Sequence, residues 1–362
     1  MAQWKQELPT VKPYYAVKCN PETSLIEALS SMGVGFDCAS SKEIHIVKNK
    51  VNNPDIIFAN PCKKREDILF AMDAGIGLTV VDSKEEVQKL SECGWRGSSL
   101  IRIMVNDVGS RMPFSSKFGA HLTQSLDIYK MAKILGQNVS GISFHVGSGC
   151  QDVNQFYDAI MNANSIISQL GHHANKQDYI INIGGGFENH SFFKAAHSIR
   201  RSRGFIPFNT RVIAEPGRYF ASNYQDLFVK VIGKKNSAKG FRYTIDESLY
   251  GQFSCIPFDQ ARPTWIRVRN QGEVPRRRVH GILYGRTCDS LDMIAMGDSE
   301  ELEEGDWLWF PNMGAYTSVT STEFNGFPKP HFTLTDENLP ELNEFHHFPE
   351  NVKYVSTLTV PS

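Results

Sequence analysis

Short runs of β-branched and aromatic residues recur along the first two thirds of the chain, at intervals of roughly twenty to forty residues. Eight of these runs predict strands, at residues 13–18, 34–39, 56–60, 78–82, 99–105, 141–146, 179–184 and 211–215. Between them, apolar residues at i, i+3 and i+4 spacing predict helices at 22–32, 84–93, 125–135 and 154–170. Strands that alternate with helices in this way predict a (β/α)8 barrel of the TIM type, with a doubly wound open sheet as the alternative.

The hydrophobic pattern changes after about residue 225, where helical periodicity gives way to strand-like runs. Three of these runs are DLFVKVIGKK, RRRVHGILYG and GDWLWFPNM. They predict a second, mostly β domain, so we place a barrel domain at 1–225 and a β domain at 226–362. Residues 260–280 are rich in arginine, and this stretch is either a nucleic-acid-binding patch or an exposed loop.

Overall composition favours the exposed loop and a soluble protein. The net charge is −1 and the sequence pI is about 6.8, which gives no electrostatic case for nucleic acid or anionic membrane. The seven cysteines are scattered without a CxxC pair, which argues against a disulfide framework or a structural metal site. With no apolar run of membrane-spanning length and no signal-peptide pattern, we expect a cytoplasmic protein.

The segment VKPYYAVKCN, residues 11–20, delivers Lys18 to the end of the first predicted strand. A lysine at this place is either a solvated residue at the end of the strand or a reactive amine. A desolvated lysine has a lowered pKa and forms Schiff bases with carbonyl compounds. The rest of the chain has to decide between these two interpretations.

Polar residues stand at or near the ends of several predicted barrel strands. Barrel enzymes place their active sites at the carboxyl ends of the strands. Buried charges need partners or a ligand, so a set of them around one rim is hard to explain as packing. The residues are Asp37, Asp82, Arg102, His145 and Glu215.

The ends of the last two predicted barrel strands predict a phosphate site. Strand seven runs into Gly184, Gly185 and Gly186, whose backbone N–H groups can approach an anion closely. Strand eight runs into the sequence EPGR, in which Arg218 adds a fork-shaped cation. Each motif alone is weak, and their succession at adjacent strands is what makes the prediction specific.

The predicted β domain carries two further motifs. YGRTCDSLD places Cys288 beside Asp289, with Asp292 three residues later. NMGAYT contains Tyr316, and FNGF follows at 324–327. No further ligands are spaced for a metal, and taken alone Cys288 is more simply explained as a small buried residue.

Together these motifs resemble the fold type III pyridoxal-phosphate-dependent decarboxylases of basic amino acids, and within them the eukaryotic-type ornithine decarboxylases. The resemblance runs from about residue 8 to residue 328. It implies an alanine-racemase-type barrel and a C-terminal β domain. It is carried by YAVKCN, GFDCAS, ANPCK, SKFGA, SFHVGSGC, INIGGGF, IAEPGRY, LYGRTCDSLD and NMGAYTSV with FNGF.

The resemblance implies that pyridoxal 5'-phosphate is held by Lys18 as an internal aldimine. His145 would stack on the pyridine ring and Glu215 would pair with the ring nitrogen. Asp37 and Arg102 would lie near the Schiff base. The residues implied for binding the rest of the cofactor, chiefly its phosphate, are Ser148, Gly184, Gly185, Gly186, Gly217, Arg218 and Tyr316.

The resemblance also implies a homodimer with shared active sites. Cys288 would come from the partner subunit and protonate the substrate carbon of a quinonoid intermediate after CO2 leaves. Asp289 and Asp259 would bind the distal ammonium of L-ornithine, giving putrescine. Lys117 and Asp292 match a pair that bridges the two subunits of the dimer.

Several alternatives remain open at this point. Lysine or arginine is an alternative substrate, and an antizyme-inhibitor-like binding protein is a catalytically silent alternative, with antizyme as the partner. A single-barrel racemase-like protein and a metal hydrolase are disfavoured. Asn182 replaces the family's aspartate and is expected to weaken local hydrogen bonding. The family also has residues ahead of the lysine motif that this sequence lacks, so we expect missing edge strands or a truncated product.

Overall fold

The structure is a computed structural model that describes residues 1–170, 179–207, 209–238, 240–270, 272–335 and 352–357. The chain divides into two compact units. We call Met1–Tyr219 the barrel unit and Phe220–Ser362 the sheet unit. The division falls a few residues before the predicted boundary at 225.

The barrel unit alternates strands and helices. Its strands are β1 (Val11–Ala16), β2 (Gly35–Cys38), β3 (Ile56–Phe58), β4 (Leu78–Val81), β5 (Ser98–Arg102), β6 (Ser110–Met112), β7 (Asn138–Ser143), β8 (Ser148–Cys150), β9 (Tyr179–Asn182) and β10 (Thr210–Ala214). Its helices are α1 (Ala2–Glu7), α2 (Thr23–Ser31), α3 (Ser41–Lys50), α4 (Arg65–Asp73), α5 (Lys84–Glu92), α6 (Leu122–Ile134), α7 (Asn154–Gln169) and α8 (Phe192–Ser202). Helix α9 (Arg218–Ala221) crosses the division between the units.

Eight strands of the barrel unit close into a parallel barrel in the order β1, β2, β3, β4, β5, β7, β9, β10. All eight predicted strands are confirmed, and closure rules out the open sheet. A layer of apolar side chains fills the interior, as expected for a packed barrel. This layer consists of Tyr14, Ile57, Val80, Leu100, Ile180 and Ile213.

The four predicted helices are confirmed as α2, α5, α6 and α7. The sequence analysis missed α3, although its start carries a capping signal: Ser40 accepts a hydrogen bond from the backbone N–H of Glu43. The same arrangement starts α5, where Ser83 accepts from the N–H of Glu86. Because such caps directly follow barrel strands, they turn the chain back along the outside of the barrel.

The short strands β6 and β8 form an antiparallel ribbon that the sequence analysis did not predict. The ribbon pairs Ser110 with Cys150 and Met112 with Ser148. It therefore ties the segment after β5 to the segment after β7, both of which carry polar residues of the predicted rim.

The sheet unit confirms the predicted β architecture. Its strands are β11 (Asp226–Ser237), β12 (Gly240–Ile245), β13 (Ile266–Arg267), β14 (Arg278–Tyr284), β15 (Met293–Glu300), β16 (Trp307–Phe310), β17 (His331–Thr335) and β18 (Val352–Thr357), with one helix, α10 (Cys255–Asp259), among its described residues. The main sheet has the order β13, β16, β11, β12, β14, β15, and β18 pairs with both β11 and β17. Its core is built from Leu227, Val229, Val231, Tyr243, Ile245, Phe253, Leu308 and Phe310.

The prediction of an exposed basic loop at 260–280 is wrong at Arg267. This side chain is 2% exposed and forms ion pairs with Glu273 and Glu300, and its guanidinium lies 3.7 Å from Asp306. Arg276 also pairs with Asp306. Arg269 and Arg277 pair with Glu300 and Glu301, so these four arginines are neutralised within the sheet unit instead of presenting a free cationic surface.

Among the described residues, no helix is long and apolar enough to cross a membrane.

Candidate active site

Lys18 lies in a single 3-10 turn, Val17–Cys19, that directly follows β1. The register of β1 and β2 pairs Ala16 with Asp37, so Lys18, two residues after Ala16, lies close to Asp37. Lys18 Nζ donates to Asp37 Oδ2 over 2.7 Å. The lysine side chain is 43% exposed while that of Asp37 is fully buried. Lys18 is therefore partly solvated and held by a buried carboxylate.

Glu215 follows β10 and is buried beside Asn182, the last residue of β9. Asn182 Nδ2 donates to Glu215 Oε1 over 2.6 Å, and Asn182 Oδ1 accepts from the N–H of Gly184 over 2.9 Å. The expected loss of hydrogen bonding at Asn182 is therefore wrong. The amide donates to a carboxylate, which an ionised aspartate cannot do.

The electrostatics of Glu215 follow from its surroundings. Its pKa is raised from 4.5 to about 7, chiefly by burial and in addition by the nearby charge of Asp37. Lys18, the hydrogen bond from Asn182 and the charge of Arg102 oppose this rise. Glu215 therefore sits near the balance point between its neutral and charged forms at neutral pH.

His145 lies two residues beyond the end of β7, on the same rim. The N–H of Gly147 donates to His145 Nδ1 over 3.0 Å, so the ring proton belongs on Nε2. Burial holds the pKa of His145 well below its usual range, and the charges of Arg102 and Lys18 add to this effect. The imidazole is therefore neutral, which suits a ring that stacks on another flat ring.

Arg102 ends β5 and is also drawn into the rim. Burial lowers its pKa, opposed by the charges of Glu215, Asp82 and Asp37. Its guanidinium lies 4.9 Å from the centroid of the Phe118 ring. We call Lys18, Asp37, Arg102, His145 and Glu215 the rim cluster.

The loop from 113 to 119 borders the rim cluster, and two carboxylates fix it. Asp107 was missed in the sequence; it is buried, and its Oδ2 accepts from the N–H groups of Phe114 and Ser115. Asp82 Oδ2 accepts from the N–H of Gly119 over 3.0 Å. Phe114 is thereby placed with its ring centroid 4.9 Å from that of His145.

Lys117 lies on this same loop but is exposed, with its Nζ 5.0 Å from the centroid of the Phe118 ring. Its predicted role in a dimer interface stays a prediction.

The three consecutive glycines pack tightly against the loop that carries His145. Gly184 has φ +63°, and a Cβ there would lie 2.3 Å from the carbonyl oxygen of Phe144. A Cβ on Gly186, with φ +97°, would lie 2.7 Å from the oxygen of Gly147. Only glycine fits this backbone at Gly184 and Gly186, and the N–H of Gly184 is already donated to Asn182 Oδ1.

Arg218 and Ser148 lie beside this glycine backbone. Arg218 Nη2 donates to Ser148 Oγ over 3.1 Å, and Gly217 before it is buried. The barrel unit thus combines a cationic, glycine-lined corner with a lysine on a buried carboxylate.

These residues fit pyridoxal phosphate at both ends. Asp37 Oδ1 is buried without a hydrogen-bond partner among the described residues, which marks an unfilled polar position beside Lys18. The glycine backbone with Ser148 and Arg218 supplies the donors that a phosphate needs. No three His, Cys, Asp or Glu side chains group as metal ligands in the described part of the chain.

In the sheet unit, Cys288 and Asp289 lie on the turn of residues 285–292, which we call the thiol segment. Cys288 is exposed, and its N–H donates to Asn325 Oδ1 over 3.0 Å. Asp289 accepts hydrogen bonds from the N–H of Leu291, over 3.0 Å, and from the hydroxyl of Tyr250. These two bonds lower the pKa of Asp289, so its carboxylate is ionised at neutral pH.

The buried carboxylate of Asp292 fixes the thiol segment through hydrogen bonds. It is 1% exposed, and its carboxylate accepts from the N–H of Leu249 and from both the N–H and the hydroxyl of Thr287. An ion pair from Asp292 to a second subunit would therefore use a carboxylate oxygen that already accepts a hydrogen bond within its own subunit. A Cβ on Gly285 would lie 2.3 Å from this carboxylate, which explains the glycine.

Two further predicted residues belong to the sheet unit. Asp259 is buried at the end of α10. Tyr316 is partly buried and has φ +58°, a left-handed conformation that is uncommon outside glycine. The sequence did not single out Tyr250 and signalled Asn325 only through FNGF, because neither has a chemical role apart from its neighbours.

Comparisons with known proteins agree with this geometry. The family described as "Pyridoxal-dependent decarboxylase, pyridoxal binding domain" matches residues 1–222. An ornithine decarboxylase of Caenorhabditis elegans is 37% identical over 370 residues, covering 95% of this chain and 86% of that protein. Antizyme inhibitor 2 of Xenopus laevis is 37% identical over 342 residues, covering 88% and 75%.

Solved structures extend the similarity to both units. The arginine decarboxylase of Paramecium bursaria Chlorella virus, solved with agmatine, has a TM-score of 0.85 at 36% identity and covers 90% of each chain. A lysine/ornithine decarboxylase of Vibrio vulnificus, solved with putrescine, has a TM-score of 0.81 at 30% identity and covers 90% of this chain and 88% of its own. These relatives share a reaction type and differ in the amino acid they are named for.

Proposed function

This chain belongs to the pyridoxal-dependent decarboxylases, as its motifs predicted, and on that premise we propose that it converts L-ornithine to putrescine and CO2. It is a lyase whose cofactor, pyridoxal phosphate, supplies an electron sink for the electron pair left by the departing carboxyl group. The observation that carries the proposal is Lys18 on the buried carboxylate of Asp37, within hydrogen-bond distance and at the mouth of the barrel.

The rim cluster has one task for each residue in this proposal. Lys18 supplies the amine that binds the cofactor's aldehyde, and Asp37 keeps Nζ at that position. Glu215 shares a proton with the ring nitrogen; because Asn182 already donates to Oε1, we assign Oε2 to this task. His145 is neutral and packs against the ring without repelling its positive charge. Arg102 adds positive charge beside Glu215 and Asp37.

The phosphate end of the site is the glycine corner. Gly185 and Gly186 offer backbone N–H donors beside Gly184, whose own N–H donates to Asn182, while Ser148 and Arg218 add a hydroxyl and a guanidinium. From the sheet unit, we add Tyr316 as a further phosphate contact. With this assignment of residues, the reacting end of the ligand would lie at Lys18 and its anionic end at Arg218.

The thiol segment supplies the proton and the substrate specificity. Cys288 donates its thiol proton to the substrate carbon after CO2 leaves. Asp289 is ionised and binds the distal ammonium of ornithine together with Asp259. The exposure of Cys288 in its own subunit supports its use by a second copy of the chain, in a homodimer with Lys117 and Asp292 at the interface.

A second function competes with this one. The similarity to antizyme inhibitor 2 favours a protein that binds antizyme without catalysis. The complete rim cluster supports the enzyme, because a binding protein has no need of a lysine on a buried carboxylate. Lysine and arginine remain the alternative substrates, since solved relatives are named for them.

The test measures CO2 release from L-ornithine, L-lysine and L-arginine, with and without added pyridoxal phosphate. We expect release from ornithine that depends on the cofactor and is lost in Lys18→Ala. Faster release from lysine or arginine would overturn the substrate. Folded protein that releases CO2 from none of the three would favour the antizyme-binding function.

A further inference from the structure

The ribbon of β6 and β8 places a second arginine next to the phosphate corner. Its register puts Arg111 opposite Gly149, between the pairs Ser110–Cys150 and Met112–Ser148. Gly149 has φ +66°, and a Cβ there would lie 3.2 Å from both Cβ and Cζ of Arg111. The glycine therefore leaves room for the arginine side chain to lie across the ribbon, toward the phosphate corner.

Glu188 joins this second arginine to Arg218. It follows the glycine motif directly and is buried, at 7% exposure. Its Oε1 lies 3.1 Å from Arg111 Nη2 and 3.3 Å from Arg218 Nε. The ring of the exposed His190 contacts the other oxygen, with Nδ1 3.4 Å from Oε2. One buried carboxylate oxygen is thus shared by two guanidinium groups, and the far end of Arg218 donates to Ser148.

Charge balance gives Arg111 its importance. Arg218 paired with Glu188 alone is neutral, and a neutral pair binds an anion poorly once it leaves water. Adding Arg111 leaves one net positive charge on the three side chains. Glu188 contacts Arg218 at Nε, while Nη2 at the far end of the same guanidinium donates to Ser148 Oγ.

We propose that Arg111 is a second cation of the cofactor-phosphate site and that Glu188 is the positioning residue that couples it to Arg218. This inference rests on the proposed function, because it takes the anion to be the phosphate of pyridoxal phosphate. It assigns the phosphate affinity of this chain to the charge of three side chains and not to Arg218 alone.

The experiment titrates cofactor-free protein at pH 8 with pyridoxal phosphate and with pyridoxal, which lacks the phosphate. The variants are Arg111→Met, Arg111→Lys, Glu188→Gln and the double variant Arg111→Met/Glu188→Gln. Arg96→Met, at an exposed loop position, is the matched control. Absorbance of the bound aldehyde gives both dissociation constants, and circular dichroism checks the fold.

We expect Arg111→Met to weaken pyridoxal phosphate binding about tenfold, the value of one charge-assisted contact. Binding of pyridoxal should stay unchanged in every variant. Arg111→Lys should lose less than Arg111→Met, and the double variant should recover most of the loss, because its net charge returns to that of the original trio.

Three results would overturn the inference. Pyridoxal phosphate binding that Arg111→Met leaves unchanged would remove Arg111 from the site. An equal loss for both ligands, or a double variant that binds no better than Arg111→Met, would make the arginine a structural residue. Unaltered protein that binds neither ligand would defeat the proposed function itself, and this inference with it.

Discussion

The rim cluster and the thiol segment carry the two halves of the proposed chemistry, and they are built in opposite ways. The rim cluster joins residues that lie on or just after β1, β2, β5, β7 and β10; although Lys18 is 43% exposed, burial is the leading cause of the pKa shifts of Arg102, His145 and Glu215. The thiol segment lies on a turn with Cys288 exposed, and hydrogen bonds are the leading cause of the pKa shift of Asp289.

The difference shows what each region can do by itself. The pKa shifts of a buried cluster are set within one folded unit, because the low dielectric and the fixed partners are already present there. An exposed turn fixes only the direction of its side chains, here through Asn325, Tyr250 and the buried Asp292. In the proposed dimer, the thiol segment acquires a dry environment only when a second copy covers it.

The largest expected effect is on the rim cluster. Lys18→Ala removes the amine that binds the cofactor, so CO2 release should fall by on the order of a thousandfold or more. Lys12→Ala is the control, because Lys12 lies on β1, the strand that leads to Lys18, and forms a partly exposed ion pair with Asp55. Cofactor absorbance and CO2 release are both measured. Activity retained in Lys18→Ala would contradict the role of Lys18, and with it the role given to the rim cluster.

Changing the thiol segment should cost less and should leave the cofactor bound. Cys288→Ala removes a general acid, and we expect a loss of about a hundredfold in kcat, in the range for such groups. The affinity for pyridoxal phosphate should not change. The matched control is Cys62→Ala, since Cys62 is also a free, exposed thiol. A variant that loses cofactor binding would show that the two regions are not separate in function.

The raised pKa of Glu215 predicts a loss of stability toward higher pH, the opposite of the effect of the lowered pKa of Asp289 in the thiol segment. Because folding raises the pKa of Glu215 from 4.5 to about 7, the cofactor-free protein loses stability as the pH rises through that window. Glu215→Gln removes the titration and should raise the melting temperature at pH 8 but not below pH 4.5. The ceiling is about 3 kcal/mol.

Glu27→Gln, at an exposed position of α2, is the control for this measurement. Melting curves of both variants and the parent are recorded from pH 4 to pH 8. Equal melting temperatures for Glu215→Gln and the parent at pH 8 would contradict the buried, shifted carboxylate.

The smallest expected effect belongs to Tyr250. Its hydroxyl donates to the partly exposed carboxylate of Asp289. Tyr250→Phe should therefore raise the pKa of Asp289. It should also increase KM for ornithine a few-fold and leave kcat unchanged. The matched control is Tyr284→Phe on β14. A fall in kcat without a change in KM would assign Tyr250 to the proton transfer instead of substrate binding.

The sequence predicted the barrel strands because each is a short apolar run, and the rim cluster because its members follow those runs. It missed α3, α4 and α8, and it missed Asp107, Arg111, Glu188 and Tyr250, whose importance comes from contacts distant in sequence. The ribbon of β6 and β8 brings Arg111 beside Gly149, and no local pattern encodes that pairing. The error at Arg267 has the same cause, because its acidic partners extend as far as Asp306.

In the proposed dimer, the rim cluster of one copy works with the thiol segment of another. Lys18→Ala and Cys288→Ala, each inactive or nearly so, are mixed in equal amounts and allowed to exchange subunits. Random pairing should restore about a quarter of the parent's CO2 release from ornithine, since half of the dimers then hold one intact site of two. Activity that stays at the level of the separate variants, with subunit exchange confirmed, would contradict the shared site.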